Sequence, residues 1–289
     1  MNTNDQVTQR TGMLNTKNED GRLQGADGIR TAFQNGKAFI PFVTCGDPDL
    51  ETTASLVRAM ADAGAAIIEL GIPFSDPTAE GPVIQEANLR SLTNGTTTDD
   101  VFELVRSLRS GDDEHEPVTC PLVAMTYANV VFHYGTDRFC ERAATAGIDG
   151  LILPDVPFEE KDEFADVCRR HGIVLISMIA PTSDERIAMI ASEAEGFIYL
   201  VSSLGVTGMR TTFTTDLGSI VGKIREATDV PVAIGFGIST PEQAQSMASI
   251  ADGAIVGSAI VKMVAKDGAG SVKPVKEFAE KMVQAVSLS

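Results

Sequence analysis

Basic residues are scarce in this chain, with 23 lysines and arginines against 40 aspartates and glutamates, for a formal net charge of −17 at pH 7. This acidic balance argues against nucleic acid and against anionic membrane surfaces as partners, because both select basic patches. An anionic ligand therefore needs local help from backbone N–H groups or helix N-termini.

Cysteine and histidine are also few, with four and three residues respectively. They show no Cys-x-x-Cys spacing and no histidine cluster, so the sequence predicts no metal site. Scattered single cysteines are typical of a reducing compartment, and we expect a cytoplasmic protein. The cysteines are Cys45, Cys120, Cys140 and Cys168.

Long apolar runs are missing, since none reaches the roughly 20 residues that a membrane helix needs. The first 22 residues are rich in Asn, Thr, Asp and Gln and lack the apolar core of a secretory signal. We expect residues 1–23 to form a flexible N-terminal tail. The remaining residues, 24–289, are expected to form one catalytic domain.

Short apolar runs and amphipathic stretches alternate after residue 25. Each run is bounded by Gly, Pro, Asp or Ser, and continuous apolar runs of this length are typical of strands buried on both faces. The predicted strands are Ala38–Thr44, Ala66–Leu70, Leu122–Tyr127, Gly150–Pro154, Val174–Ile179, Phe197–Ser202, Val232–Phe236 and Gly253–Val256.

Apolar stripes at helical spacing lie between these runs. The predicted helices are Glu51–Ala63, Asp99–Arg109, Asp137–Ala146, Lys161–Arg170, Asp184–Ala194, Leu217–Ala227, Pro241–Ser249 and Val275–Ser287. Such alternation predicts an α/β fold, a (β/α)₈ TIM barrel of one domain with a short N-terminal extension. A doubly wound open sheet is the alternative, but it usually has a glycine-rich fingerprint after the first strand. Here that strand ends in Thr44-Cys-Gly-Asp-Pro48.

Two glutamates stand near the end of the second predicted strand, where the loops of a barrel carry function. Glu69 lies between Ile68 and Leu70, and a carboxylate in an apolar run is costly to bury unless it has partners or a raised pKa. Glu69 is therefore a candidate acid and base, with a solvent-facing or salt-bridged carboxylate as the alternative. Glu80 follows in the next loop, where an ordinary loop glutamate is the alternative.

Glycines recur after the last three predicted strands, in Ser202–Gly208, Gly235–Ser239 and Gly257-Ser258. Glycines let backbone N–H groups approach an anion, and a helix that begins at Ser258 adds its dipole. Loops after strands seven and eight are the usual phosphate site of this fold. The pattern predicts a phosphate site made of backbone amides, although each glycine pair alone is more often a turn. The next loop, Met209–Thr215, is a lid or an ordinary solvated loop.

At this point the residues resemble the alpha-chain family of tryptophan synthase, from about residue 30 to 263. The segments that carry the resemblance are Phe39–Pro48, Glu69–Pro77, Met125–Asn129, Leu153–Pro157, Gly205–Gly208 and Gly235–Ser239. The resemblance implies a carbon–carbon lyase that cleaves indole-3-glycerol phosphate, by a retro-aldol step, to indole and glyceraldehyde 3-phosphate.

The resemblance also implies roles for individual residues. Glu69 is the expected general acid and base, Glu80 the carboxylate that receives the indole N–H, and Tyr199 a neighbour of the reacting centre. Thr207 is expected to hydrogen-bond the loop after the second strand. The indole pocket is expected to include Phe42, Tyr127 and Leu153. The phosphate cradle is expected to include Gly208, Gly235, Phe236, Gly237, Gly257 and Ser258.

Two departures from the family pattern fall close to this site. Glu80 stands where the family usually has aspartate, and Ser203 stands where arginine is common. The additional methylene of Glu80 adds about 1 Å of reach, and a misplacement of that size can cost roughly 10²-fold in rate. We expect the loop backbone to absorb this length. If Glu80 occupies the position of the family's aspartate, Glu80→Asp should keep or raise activity, whereas a loss as large as that of Glu80→Ala would show that the loop has co-adapted to glutamate.

A beta-chain partner is a further implication of the resemblance. The alpha chain is expected to carry no cofactor, to join a pyridoxal-phosphate-dependent beta chain in an alpha2beta2 heterotetramer, and to pass indole to it. The expected contact residues are Pro73, Asp76, Asn129 and Pro157, with a turn or cap role as the alternative for each. Two other activities stay open: a weakly active chain that mainly activates its partner, and a stand-alone lyase that releases indole.

Overall fold

The computed structural model describes residues 22–202, 216–235 and 237–289. Its strands are all parallel and are hydrogen-bonded in the order β5-β4-β3-β2-β1-β9-β8-β7-β6. Their bounds are β1 (Ala38–Thr44), β2 (Ile68–Gly71), β3 (Leu122–Met125), β4 (Gly150–Ile152), β5 (Val174–Leu175), β6 (Ser177–Ile179), β7 (Ile198–Val201), β8 (Val232–Gly235) and β9 (Gly253–Val256).

The two ends of this order, β5 and β6, are the two halves of one predicted strand. The run Val174–Ile179 is interrupted at Ile176, so that β5 pairs with β4 while β6 pairs with β7. The sheet therefore closes on itself through this run, and the predicted eight-stranded barrel is confirmed with one strand divided in two.

Side chains alternate between two apolar clusters along every strand, as the period of two requires. An inner cluster fills the barrel and includes Ile40, Phe42, Ile67, Val123, Met125, Ile152, Phe197 and Tyr199. An outer cluster joins the barrel wall to the helices and includes Phe39, Val43, Ile68, Leu70, Leu122, Ala124, Ile198 and Leu200. Strands buried on both faces explain why their sequences are continuously apolar.

Twelve α-helices occur in the described residues. They are α1 (Gly25–Ala32), α2 (Leu50–Asp62), α3 (Pro82–Thr93), α4 (Thr98–Ser110), α5 (Ala128–Tyr134), α6 (Thr136–Ala146), α7 (Asp162–Arg170), α8 (Asp184–Ser192), α9 (Leu217–Ala227), α10 (Pro241–Ile250), α11 (Ser258–Asp267) and α12 (Val272–Ser287). The eight predicted helices are present, and so is α11, the helix expected to begin at Ser258; α1, α3 and α5 were not predicted. Several begin at side-chain caps, such as Asp49 before α2 and the Thr97–Asp100 capping box before α4.

A buried carboxylate organises the floor of the barrel. Asp149 is fully buried and accepts hydrogen bonds from Arg22 at 2.9 Å, from Arg109 at 2.7 Å and from the backbone N–H groups of Gly25 and Leu122 at 3.0 Å. Two guanidinium groups and two amides satisfy a charge that is costly to bury alone. Arg22, which the sequence analysis assigned to the tail, is thus bound to the barrel; for residues 1–21 the tail stays a prediction.

Candidate active site

Glu69 projects into the barrel. Its neighbours Ile68 and Leu70 belong to the outer cluster, so the alternation of β2 turns Glu69 inward, and it is paired in register with Phe42 of β1. The residue is only 1% exposed. The solvent-facing alternative is therefore wrong.

Burial sets the protonation of this carboxyl group. Desolvation raises the pKa of Glu69 to about 8, because water no longer stabilises the charged form. Its Oε1 atom is buried and has no hydrogen-bond partner among the described residues. Tyr199 lies close enough that the charge of Glu69, after burial, helps to raise the pKa of the tyrosine. Both groups are thus mainly protonated at neutral pH.

Two glycines make room for the aromatic rings beside Glu69. A Cβ atom on Gly235 would lie 2.4 Å from the Tyr199 hydroxyl oxygen, and one on Gly71 would lie 2.6 Å from Cζ of Phe42. Side chains at either position would displace the rings. Gly235, which was predicted only as a phosphate contact, thus also determines where Tyr199 stands.

Glu80 is buried as well, at 4% exposure, although it lies in the loop between β2 and α3. Asn88 Nδ2 donates to Glu80 Oε2 at 2.7 Å, and Gln85 Nε2 donates to the Glu80 carbonyl oxygen at 2.7 Å. The Ala79 N–H donates to the Tyr127 hydroxyl at 3.1 Å. Three hydrogen bonds therefore hold the loop between β2 and α3, which was expected to adjust to a glutamate.

Opposing effects set the pKa of Glu80. Burial raises it to about 7, against hydrogen bonds from Asn88 and Tyr127, which lower it. Tyr127 stacks on Phe74 with ring centroids 5.1 Å apart. Burial, followed by the charge of Glu80, raises the pKa of Tyr127, so its hydroxyl stays protonated and can donate. Neither Asn88 nor Phe74 was predicted as a site residue.

The glycine-rich strand ends lie side by side, because β8 and β9 are adjacent and parallel. Gly237 follows β8 in the left-handed region, with φ of 84°. Gly257 precedes α11, which begins at Ser258, so the first N–H groups of this helix have no carbonyl partner within it. Thr207, Gly208 and Phe236, and the segment from Ser203 to Thr215, lie outside the described residues.

A cavity of about 470 Å³, lined by apolar side chains and by charged ones such as Lys161 and Glu193, opens in the barrel wall next to the divided strand. It is large enough for an aromatic ligand. Its lining includes Leu153, Pro154, Phe158, Leu175, Met178 and Val201. Leu153 packs with the outer cluster and Phe42 with the inner one, so the structure separates these two predicted pocket residues.

Of the predicted partner contacts, Asp76, Asn129 and Pro157 are exposed, whereas Pro73 is buried. Phe132, one turn beyond Asn129 on α5, is half exposed and was not predicted. Among the described residues, no three His, Cys, Asp or Glu side chains form a group that could hold a metal ion. None of the helices described is long and apolar enough to cross a membrane.

Comparison with known proteins agrees with this geometry. A family model described as tryptophan synthase alpha chain matches residues 30–287. The tryptophan synthase alpha chain of Lacticaseibacillus casei is 48% identical over 89% of this chain and 95% of its own, and that of Lactiplantibacillus plantarum is 53% identical over 82% and 88%.

A solved structure gives the same result. The alpha subunit of tryptophan synthase from Legionella pneumophila superposes with a TM-score of 0.79 at 34% identity, covering 91% of this chain and 99% of that chain. The chain therefore belongs to the tryptophan synthase alpha-chain family, the carbon–carbon lyases that cleave indole-3-glycerol phosphate to indole and glyceraldehyde 3-phosphate in tryptophan biosynthesis.

Proposed function

We propose that Glu69 is the general acid and base of this cleavage. The observation that carries the proposal is a buried, inward-facing carboxyl group with a pKa of about 8 and one oxygen without a partner among the described residues. A carboxyl group that is protonated at neutral pH can deliver a proton and then accept one.

The reaction needs both transfers. Cleavage of the bond between indole C3 and the glycerol chain requires C3 to gain a proton, which converts the ring to an indolenine. Glu69 gives its proton to C3 and becomes a carboxylate. As the carbon–carbon bond breaks, Glu69 takes the proton of the hydroxyl group on the adjacent glycerol carbon, which becomes the aldehyde. The carboxyl group returns to its starting form.

Glu80 and Tyr199 have supporting roles in this proposal. The indolenine carries positive charge on its ring nitrogen, and the Glu80 carboxylate accepts the N–H hydrogen bond and stabilises that charge. Tyr199 stays protonated beside Glu69 and is a neighbour of the reacting centre in this proposal. Contacts of the indole ring with Phe42 and Tyr127 belong to the same proposal, whereas Leu153 packs in the outer cluster and is left out of it.

The substrate phosphate is proposed to bind at the ends of β8 and β9. The left-handed Gly237 and the free N–H groups at the start of α11 support this position, because an anion is stabilised by unpaired amides and by the helix dipole. The remaining predicted contacts, Gly208, Gly235, Phe236 and Gly257, complete the proposed cradle. A cradle of amides also suits a chain with a net charge of −17.

Replacement of Glu69 by glutamine tests the assignment. We expect Glu69→Gln to abolish indole formation, because the amide neither delivers nor accepts the proton, while glycerol 3-phosphate binds as in the wild type. Glu86→Gln, an exposed glutamate on α3, is the matched control and should keep full turnover. Indole formation by Glu69→Gln at the rate of this control would exclude Glu69 as the acid and base.

We also propose that the chain acts in the cytoplasm within an alpha2beta2 complex. Members of this family have no cofactor of their own, since pyridoxal phosphate belongs to the beta chain. The exposed Asp76, Asn129, Pro157 and Phe132 support a partner surface at the loop end of the barrel, because exposed aromatic residues are typical interface anchors. Four free cysteines agree with a reducing compartment.

A charge in this surface tests the complex. Phe132→Asp should weaken association with a beta chain and remove its stimulation of indole formation, with little effect on the alpha chain alone. Leu288→Asp is the control, since Leu288 is 70% exposed but follows α12 at the opposite end of the barrel. Sedimentation with the beta chain gives the stoichiometry, and equal association of the two variants would exclude this surface.

A further inference from the structure

The buried face of α3 carries an unexpected polar residue. Ile84 and Ala87 of this helix pack into the inner cluster, together with Phe42 and Tyr199. Asn88 continues the same face and is 4% exposed. Asparagine is a weak helix former, and a buried amide is costly unless it is hydrogen-bonded. The amide of Asn88 has such a bond, and its acceptor is the Glu80 carboxylate at 2.7 Å.

Helix α3 is itself held firmly against the loop after β1. Arg90 binds both carboxylate oxygens of Asp47 at 2.8 Å, and Ser91 Oγ donates to the Cys45 carbonyl oxygen at 2.6 Å. Both anchors lie within one turn of Asn88. Asn88 therefore offers its N–H group from a fixed position, while Glu80 belongs to a loop.

We infer that Asn88 is a positioning residue for the reaction, acting through Glu80. Its Nδ2 group binds Oε2 of the Glu80 carboxylate, to which the Tyr127 hydroxyl also donates, and so orients the side chain for a lone pair to face the indole N–H. The inference rests on the proposed role of Glu80 as N–H acceptor. It adds that the length of the Glu80 side chain is matched to that of Asn88.

The same hydrogen bond affects the charge of Glu80. A donor to the charged form of a carboxyl group lowers its pKa, and Asn88 is the first hydrogen bond that opposes the effect of burial on Glu80. Without it, the carboxyl group stays protonated to higher pH and cannot accept the N–H hydrogen bond as a carboxylate.

The first test is Asn88→Ala, with kcat/KM for indole formation measured across pH. We expect kcat/KM at pH 7 to fall roughly 10–100-fold, because the carboxylate is misplaced. The acid limb of the profile should move to higher pH. Glycerol 3-phosphate binding and the thermal midpoint of the variant show whether the barrel is intact. A folded variant with the wild-type pH profile and rate overturns the inference.

Gln85→Ala is the matched control on the same helix. Gln85 binds the backbone carbonyl of Glu80 rather than its carboxylate. Truncation of the Gln85 side chain loosens the loop without changing the hydrogen bonds of the Glu80 carboxylate. The acid limb of the kcat/KM profile should therefore stay at its wild-type pH. An equal displacement of the limb in both variants would mean that Asn88 acts only through loop order, which also overturns the inference.

A double-mutant cycle separates this inference from the proposed function. If Asn88 acts through Glu80, then Asn88→Ala costs little once Glu80→Ala is present. An equal cost in both backgrounds refutes the positioning role. Full activity of Glu80→Ala instead refutes the role of Glu80, whatever Asn88 does.

A length exchange provides the final test. Glu80→Asp and Asn88→Gln should each lower kcat/KM at pH 7, since each alters the combined reach of the pair by one methylene. The combined Glu80→Asp/Asn88→Gln variant restores the number of methylenes in the pair. Its kcat/KM should be at least tenfold higher than that of either single variant, a gain that a merely structural role does not produce. Additive losses in the double variant contradict the matched lengths. This expected loss is the opposite of the sequence-based prediction that Glu80→Asp keeps or raises activity, and the assay of that variant decides between them.

Discussion

Glu69→Gln should change how the stability of the protein depends on pH. The carboxyl group has a pKa of about 8 in the folded chain against 4.5 for an exposed glutamate, so the folded state holds its proton over a range in which the unfolded chain has lost it. Folding is therefore unopposed by this group below pH 4.5. As the pH rises from 4.5 towards 8, the unfolded chain releases the proton that the folded chain retains. The free energy of unfolding therefore falls progressively.

The magnitude follows from the two pKa values. Between pH 5 and pH 8 the wild type should lose about 3 kcal/mol of unfolding free energy through this group alone. Glutamine does not ionise, so the variant lacks this loss. A buried amide adds a constant cost that does not vary with pH. The informative quantity is therefore the change in the difference between the two proteins, and not the difference at one pH.

Urea unfolding of both proteins at several pH values between 5 and 8 measures this change. The other titrating groups are common to both proteins, so their contributions largely cancel. Glu86→Gln, at an exposed position, should follow the wild type at every pH. Stability curves of wild type and Glu69→Gln that stay parallel within about 1 kcal/mol would refute the raised pKa, and with it the protonated acid required by the mechanism.

Three further outcomes are expected. In the wild type, kcat/KM should peak between pH 7 and 8. It should fall on the acid side as Glu80 is protonated and on the alkaline side as Glu69 ionises. A flat profile from pH 6 to 9 would contradict both assignments. Gly235→Ala should displace the Tyr199 ring and cost about 1–3 kcal/mol in urea unfolding, with a lower kcat; unchanged stability would show that the ring relocates freely. Gly237→Ala should raise KM more than it lowers kcat, because a left-handed φ of 84° disfavours alanine; unchanged glycerol 3-phosphate affinity would remove this residue from the cradle.

Some elements were readable from the sequence because their signals are local. The predicted bounds of β1 and β9 agree with the structure, since each is a continuous apolar run between residues that break strands. The inward direction of Glu69 was not readable in this way, because its strand is apolar on both faces and the sequence left a solvent-facing carboxylate open.

Other elements depend on partners far away in the sequence. Helix α3 was missed because its buried face includes Asn88 and Ser91, and their acceptors on Glu80 and Cys45 become neighbours only in the folded barrel. The division of Val174–Ile179 has the same origin, since its two halves pair with strands from opposite sides. A proline start after Gly81 was the local signal for α3.

The divided strand also determines where the barrel is compliant. Through β5 the wall is joined to β4, but from Ser177 onward the same strand is joined to β7. Elsewhere in the ring, two neighbouring strands can separate only if ladder hydrogen bonds break. At this place they have already parted, and a cavity of about 470 Å³, lined in part by Leu153 and Met178, lies beside the division. The wall can therefore deform here without breaking ladder hydrogen bonds, and the Val174–Ile179 run is the place where the barrel changes shape at least cost.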